Sequence, residues 1–341
     1  MKLLYLSRSR FGGWVTFTTH LFHGLQECRE DVEVIRITKR TENTQRNMGN
    51  EVPYRNVCEE DVLNLEQSVL ITASDKWHRE LTIKLLARGA KIVIHDPTEL
   101  RNPEFRSIVD PKQVIVIRKS MLEHMPEATY IPHPYLSLAV ATGESFKMDK
   151  DWSGRKHHAI NIARLDFDKN SHWLFEANRK LPEEKQVIIR GCENRMYTKT
   201  KILPKYPEYV QDSKRPKDQR AFFTRELRGA VNLCKQARYM TDFSVIHGDG
   251  GGTQYTFLEA MDAGTICLIH KDWIRPHDSM VDEGEAQNCI SFPDHEKLVN
   301  FLNGKIDMDL SRFICTNAKK LLEEHDALKI AKEYQRELGK V

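Results

Sequence analysis

The chain has 341 residues, of which 40% are hydrophobic and 30% charged, and its formal net charge is +3. That length exceeds what one hydrophobic core usually supports, and the mixture is a globular one, so two folded domains are expected and wholesale disorder is excluded. So small a charge excludes a chain-wide field for polyanions; any phosphate or nucleic-acid site has to be a local patch.

The opening residues MKLLYLSRSR carry charge too early for a signal peptide, and no run approaches the roughly 18 apolar residues of a membrane span. A cytoplasmic protein with no membrane partner is expected. The cysteines Cys28, Cys58, Cys192, Cys234, Cys267, Cys289 and Cys315 are odd in number and form no C-x-x-C pair, which argues against a disulfide framework or a structural zinc. Several sit in apolar runs and read as small buried hydrophobes.

In chain order, short β-branched runs predict strands at Lys2–Leu6, Val32–Ile37, Ser68–Thr72, Lys91–Ile94 and Val114–Ile117. Further strands are predicted at Ala159–Ala163, Gln186–Ile189, Phe243–Ile246, Thr265–Ile269 and Cys289–Phe292. Their apolarity is continuous rather than alternating, as in parallel sheets covered on both faces. Helical patterns such as Phe17–Cys28 and Trp77–Arg88 lie between them, so doubly wound α/β sheets are expected. The polar stretch Leu136–Lys156 reads as the linker. Domains are therefore expected at 1–140 and 155–316. A final long helix over Asn317–Leu338, in a segment 317–341, is expected to pack back on the first domain.

Four places could carry chemistry. After the first strand, the turn from Ser7 to Trp14 holds Gly12 and Gly13, which would let backbone N–H groups approach a phosphate or sugar at a helix start; a plain tight turn is the alternative. His95-Asp96 closes the Lys91–Ile94 strand, at the edge where open α/β sheets place ligands; an aspartate capping the next helix is the alternative. After the strand that opens the second half come Arg164 and Lys169, two cations able to face one point, or else two solvated surface charges. A diphosphate leaving group gains charge as the sugar–phosphate bond breaks, so fixed cations there favour the transition state. Asp166-x-Asp168 has the spacing of a metal-binding D-x-D, but its place in a second Rossmann-like half argues against a metal. Last, His247-Gly-Asp-Gly-Gly251-Gly252-Thr253-Gln254 leads from a strand to a helix, and bare N–H groups there would face an anion. Glu259 follows amid Phe257, Leu258, Ala260 and Met261, where a carboxylate needs a partner: ribose hydroxyls, or a nearby arginine.

The segment LEAMDAGTICLI around Glu259 resembles the nucleotide-sugar signature of retaining GT-B glycosyltransferases. That family commonly carries another glutamate eight positions earlier, where this chain has Gly251. A narrower resemblance is to the phage DNA α-glucosyltransferases, which modify 5-hydroxymethylcytosine. It rests on Gly12-Gly13-Trp14-Val15-Thr16-Phe17, His95-Asp96, Arg164 with Lys169, the loop Gly191-Cys192-Glu193-Asn194-Arg195, and Leu258, Glu259, Gly264 and Thr265.

The resemblance implies two Rossmann-like domains facing a cleft, with a UDP-sugar as donor substrate, no tightly bound cofactor and no structural divalent metal. It implies that Arg164 and Lys169 hold the diphosphate and Glu259 the ribose. Gly191, Glu193 and Arg195 would lie against the base, and Gly251, Gly252 and Thr253 near the nucleotide. His95 and Asp96 would orient the sugar or acceptor hydroxyl, and Gly12 and Gly13 would leave room for the donor. Duplex DNA with modified bases is the implied partner, and a monomer is the default state.

The stretch Arg195–Arg220 holds eight Lys or Arg against three Asp or Glu, with Tyr197, Tyr206 and Tyr209 interleaved. It reads as a loop that could follow a phosphate backbone through Lys199, Lys201, Lys214 and Arg215 and stack on bases, or as a solvated insertion. Trp77, Phe105 and Trp14 are the candidates for a wedge beside an extruded base, with core or interface packing the favoured alternative for each. A glycan or small-molecule acceptor is the alternative, and a non-catalytic binding module a further one.

Overall fold

A computed structural model describes residues 1–8, 12–37, 46–47, 52–65, 69–100, 103–137, 152, 154–216, 227–245, 252–275 and 278–339. The chain divides into two compact units. One comprises Met1–Ala141, Arg225–Leu227 and Glu323–Val341, the other Thr142–Thr224 and Arg228–Leu322.

The first unit is built on strands β1 (Lys2–Leu6), β2 (Glu33–Ile37), β3 (Arg46–Asn47), β4 (Pro53–Val57), β5 (Val69–Ser74), β6 (Lys91–Ile94), β7 (Val114–Val116) and β8 (Thr129–Tyr130). They form one sheet in the order β3-β4-β2-β1-β5-β6-β7-β8, parallel throughout except for the β3–β4 pair. Leu3, Leu4, Ile71 and Val93 are buried because helices cover both faces, which is why these strands read as unbroken apolar runs. β4 escapes that reading. Its PYRNV opens on proline and turns Arg55 to Glu33 of β2, so an ion pair stands where the pattern would want an apolar side chain.

The second unit holds β9 (His157–Asn161), β10 (Val187–Ile189), β11 (Ala237–Asp242), β12 (Ile266–His270) and β13 (Ile290–Phe292). Its sheet is wholly parallel, in the order β10-β9-β11-β12-β13. β11 corrects the strand expected at Phe243–Ile246. The strand runs earlier because Tyr239 and Met240 supply the buried apolar residues, while Asp242 bends the chain by accepting the Ser244 N–H at 3.0 Å.

Two other expectations change. The last part of the polar linker is core: Trp152 and Arg155 are buried. Arg155 reaches the carbonyls of Ala237 and Ala263 at 2.6 and 2.8 Å, and Trp152 meets Tyr239 edge-on. Three of the Arg155 donors are taken up by fixed acceptors, an arrangement that polarity along a sequence does not reveal.

The single C-terminal helix is instead two, Met308–Glu324 and Ala327–Leu338. Asp326 stops the first and caps the second by accepting from Lys329 N at 2.9 Å, while His325 O and Ala327 N pair with Tyr135. Within the first unit, Ala327–Leu338 packs on the helix Gly13–Glu27. There Gly24 is obligatory, since a Cβ would lie 2.5 Å from the Ala327 carbonyl oxygen. Among the described residues no helix is long and apolar enough to cross a membrane.

Candidate active site

In an open parallel sheet, ligands sit beyond the carboxyl ends of the strands where the connections change direction. In the second unit the chain passes from β9 outward to β10 and then back across to β11, so that point lies between the ends of β9 and β11. Lys169, after β9, crosses it: its ammonium donates to Ser244 Oγ at 2.8 Å and to Gln254 Oε1 at 3.4 Å. The backbone follows, with Val245 N donating to Asp168 O at 3.0 Å.

Behind the lysine stands a residue that sequence reading missed. Asp242, at the end of β11, is fully buried. Its carboxylate takes the Ser244 hydroxyl and the Ser244 N–H on one oxygen, and Thr256 Oγ1 at 3.3 Å on the other. The line Asp242–Ser244–Lys169 therefore holds one cation in place at the sheet edge. An aspartate at a strand end and a serine two residues on was the only signal, and it did not point to Lys169, 75 residues away.

Gln254 precedes the helix Tyr255–Asp262, so Lys169 stands at that helix's N-terminus, where the backbone dipole adds positive charge. Gly252 has φ +78° on the approach, and Thr253 is buried. Gly251 lies outside the described residues. Glu259, one turn into the helix, makes no hydrogen bond or ion pair with another described side chain. Burial, with Asp262 adding to it, pushes its carboxyl up to about 8. The arginine partner left open from the sequence is not found among the described residues.

Arg164 is exposed, and its guanidinium lies 3.1 Å from Asp166. Asp166 also accepts from Asn194 Nδ2 at 2.8 Å, which ties the 162–171 loop to the loop after β10. Its carboxylate is spent on loop architecture, and among the described residues no three His, Cys, Asp or Glu side chains gather where a metal ion could sit. Gly191 is a packing glycine: a Cβ there would lie 1.6 Å from the Ala163 carbonyl oxygen. Gly191→Ala should therefore cost at least about 2 kcal/mol, read as a lower urea midpoint of unfolding, because backbone rather than a mobile side chain must move. Glu193 accepts from Tyr209 OH at 2.6 Å, and Arg195 is exposed.

The basic stretch is not the aromatic loop expected. Its residues Arg195–Ile202 are helical. Tyr197, Tyr206 and Tyr209 are buried, with Tyr206 stacked on Phe175 at 5.0 Å, so none offers a face to a base. Arg215 donates to the carbonyls of Ile189 and Val210 and lies over Tyr209. Lys199, Lys201 and Lys214 are exposed.

In the first unit the corresponding point lies between β1 and β5. Gly12 has φ +94° and ψ −173°, a conformation essentially confined to glycine, and both Gly12 and Gly13 face open space. The helix Gly13–Glu27 starts there without a side-chain cap. His95 joins it: its ring lies 4.7 Å from Phe17 and 6.3 Å from Trp14, centroid to centroid. Burial lowers the His95 imidazole to about 4, so it is neutral, and Nε2 donates to Thr72 O at 2.7 Å, leaving Nδ1 as the acceptor. Glu99 accepts from His95 N at 3.1 Å, and burial pushes its carboxyl up to about 8. Asp96, next to His95, is partly buried. Of the wedge candidates, Phe105 is core, Trp14 half-buried and Trp77 exposed.

No family model matches the chain, and no curated protein does. Solved structures do. An alpha-glucosyltransferase in complex with UDP-glucose and DNA containing an abasic site is 14% identical, with a TM-score of 0.67 over 99% of this chain and 98% of that one. The Anabaena HepE protein in complex with UDP is 13% identical, with a TM-score of 0.66 over the whole of both chains. The fold is GT-B. At this identity the likeness fixes the arrangement of strands and helices within each unit and leaves the chemistry to the side chains.

Proposed function

We propose that the chain is a UDP-sugar-dependent glycosyltransferase that passes a hexose or pentose, with retention at the anomeric carbon, to the hydroxymethyl group of a modified cytosine in DNA. The observation that carries the donor half is Lys169, fixed by Ser244 and Asp242 at the direction change of a five-stranded parallel sheet and set at a helix N-terminus. A diphosphate bound there meets a cation and a dipole already in place, which stabilises the charge that grows as the glycosidic bond breaks. Arg164, whose guanidinium is exposed, turns from Asp166 to the same phosphates. Glu259, unpaired among the described residues and one turn along, takes the ribose hydroxyls. Glu193 and Arg195 lie near the base. No divalent ion is needed in this scheme, because Lys169 and Arg164 offset the charge of the leaving group. On the first unit, Gly12 and Gly13 leave room for the donor sugar, and His95 Nδ1 and Asp96 orient the sugar or acceptor hydroxyl.

The DNA acceptor is supported by the DNA-bound alpha-glucosyltransferases among the similar folds and by the exposed Lys199, Lys201 and Lys214. A second reading, a glycan or small-molecule acceptor, is favoured by the burial of Tyr197, Tyr206 and Tyr209 and by the equally extensive likeness to HepE. One experiment separates them. The protein is incubated with UDP-glucose and duplex DNA carrying hydroxymethylcytosine, the DNA is digested to nucleosides, and their masses and the UDP released are measured. The expected result is a hexose added to the modified nucleoside, with DNA-stimulated UDP release. UDP release that ignores DNA, without a nucleoside mass shift, selects the second reading. Absence of UDP binding would sink both.

A further inference from the structure

The burial of the three tyrosines leaves the question of which surface a nucleic-acid acceptor would stack on, and the first unit offers one. Trp77 is 61% exposed, an unusual position for the largest apolar side chain. It is not loosely held. Asp75, directly after β5, accepts from Trp77 N at 2.9 Å and Arg8 N at 2.8 Å, and His78 Nδ1 lies 2.8 Å from the same carboxylate. One aspartate thus ties the turn after β1 to the turn after β5, at the direction change of the eight-stranded sheet.

Cations collect around the ring. The Arg8 guanidinium lies 4.4 Å from the indole centroid and the Lys76 ammonium 5.1 Å from it. Arg36, near the end of β2, comes under the same turn by donating to the carbonyls of Ser7 and Arg8 at 3.3 and 3.2 Å. Asp75 is the acidic group among them, and its oxygens are already occupied by three donors. Among the described contacts the surplus is positive: an exposed indole with Arg8 and Lys76 over its ring, and Arg36 bonded to the turn that carries Arg8. A flat, anion-bearing ligand complements such a surface, the base by stacking and the phosphate by charge.

We propose that Trp77, with Arg8 and Lys76, is a stacking platform for a nucleobase of the nucleic-acid acceptor. The inference rests on the DNA reading above and assigns the contact to the first unit rather than to the basic stretch of the second. Stacking on an aromatic side chain accounts for roughly ten- to hundredfold in affinity per base.

The test measures binding of a fluorescein-labelled hydroxymethylcytosine duplex and of a single-stranded oligodeoxynucleotide to the full chain, alongside UDP affinity by calorimetry. Trp77→Ala should weaken oligonucleotide binding about ten- to hundredfold at fixed salt. Trp77→Phe should restore most of that loss, and UDP affinity should not change in either variant. Arg8→Ala should weaken binding less and flatten its salt dependence. Equal oligonucleotide affinity for the unaltered protein and Trp77→Ala overturns the platform, even where glucosyl transfer to the duplex persists and the acceptor reading stands. A parallel fall in UDP affinity also overturns it, since the tryptophan would then be structural. UDP binding without oligonucleotide binding in the unaltered protein, or a Trp77-dependent affinity for maltoheptaose in place of DNA, overturns it together with the DNA acceptor.

Discussion

Lys169→Ala should lower the turnover number by about 100- to 1,000-fold while changing UDP affinity far less, because a fixed charge aimed at a leaving group acts most strongly when that group's charge is developing. The side chain is one of a set. Its ammonium has three donors, and Ser244 and Gln254 account for two, leaving one to point at a phosphate oxygen. Ser244→Ala removes the contact that aims it but keeps the charge, so a smaller loss of about tenfold is expected. Asp242→Asn keeps the shape and loses the buried carboxylate, and should resemble Ser244→Ala more than Lys169→Ala. Single-turnover transfer from UDP-glucose, with UDP affinity measured separately, distinguishes these cases. Wild-type turnover in Lys169→Ala would remove the lysine from the chemistry and leave the Asp242–Ser244–Lys169 line a structural one.

The second large effect belongs to Glu259 and depends on pH. Its carboxyl is pushed up to about 8 in the free protein, so at pH 7 it is mostly protonated. Ribose hydroxyls donate, and the ionised form accepts them best, so nucleotide binding should draw the proton off. Uridine affinity is then expected to rise by up to about tenfold per pH unit between pH 6 and 8 and to level off above. Uridine is the better probe because it lacks phosphates that titrate in the same range. Glu259→Gln should bind weakly at every pH and lose the slope. If it keeps the slope, another group carries the proton.

The same shift has a consequence for the unliganded fold, with a definite sign. An acid whose folded value lies above its unfolded one binds more protons when folded, so stability falls as pH rises from about 4.5 to about 8 and is constant beyond. Glu259→Gln should therefore match the unaltered protein in urea midpoint near pH 4 and exceed it at pH 9. Nucleotide at a fixed concentration should reverse the order, since the tighter-binding unaltered protein is stabilised more than the variant. A carboxyl that weakens the empty fold and serves the filled one is a mark of a binding residue rather than a packing one.

Much of the architecture is readable from the residues because a parallel sheet buries both faces of its strands. KLLYL, KIVI and ICLI cannot be left in water, and they recur at the spacing of βα units. Glu259 is legible for a related reason: a carboxylate between Phe257, Leu258, Ala260 and Met261 has to find a partner. Elements and contacts set by long-range pairs are not legible this way. β4 depends on Arg55 meeting Glu33, and the core role of Arg155 on carbonyls more than 80 residues away. The aromatic positions exchanged roles. Tyr197, Tyr206 and Tyr209 looked like a stacking loop and went into the core, while Trp77, for which core packing was the alternative, stands in solvent.

Taken alone, the order of residues determined that this is a two-part α/β protein and which side chains are chemically able to serve a nucleotide, because hydrophobic period and residue type are local properties. Only the tertiary structure decided that Lys169 is held by Asp242 through Ser244, that Arg164 rests on Asp166, and that Trp77 stands exposed with Arg8 and Lys76 over its ring. Each of those outcomes depends on which strand ends become neighbours, and neighbourhood in a sheet is set by crossovers that bring together residues dozens of positions apart.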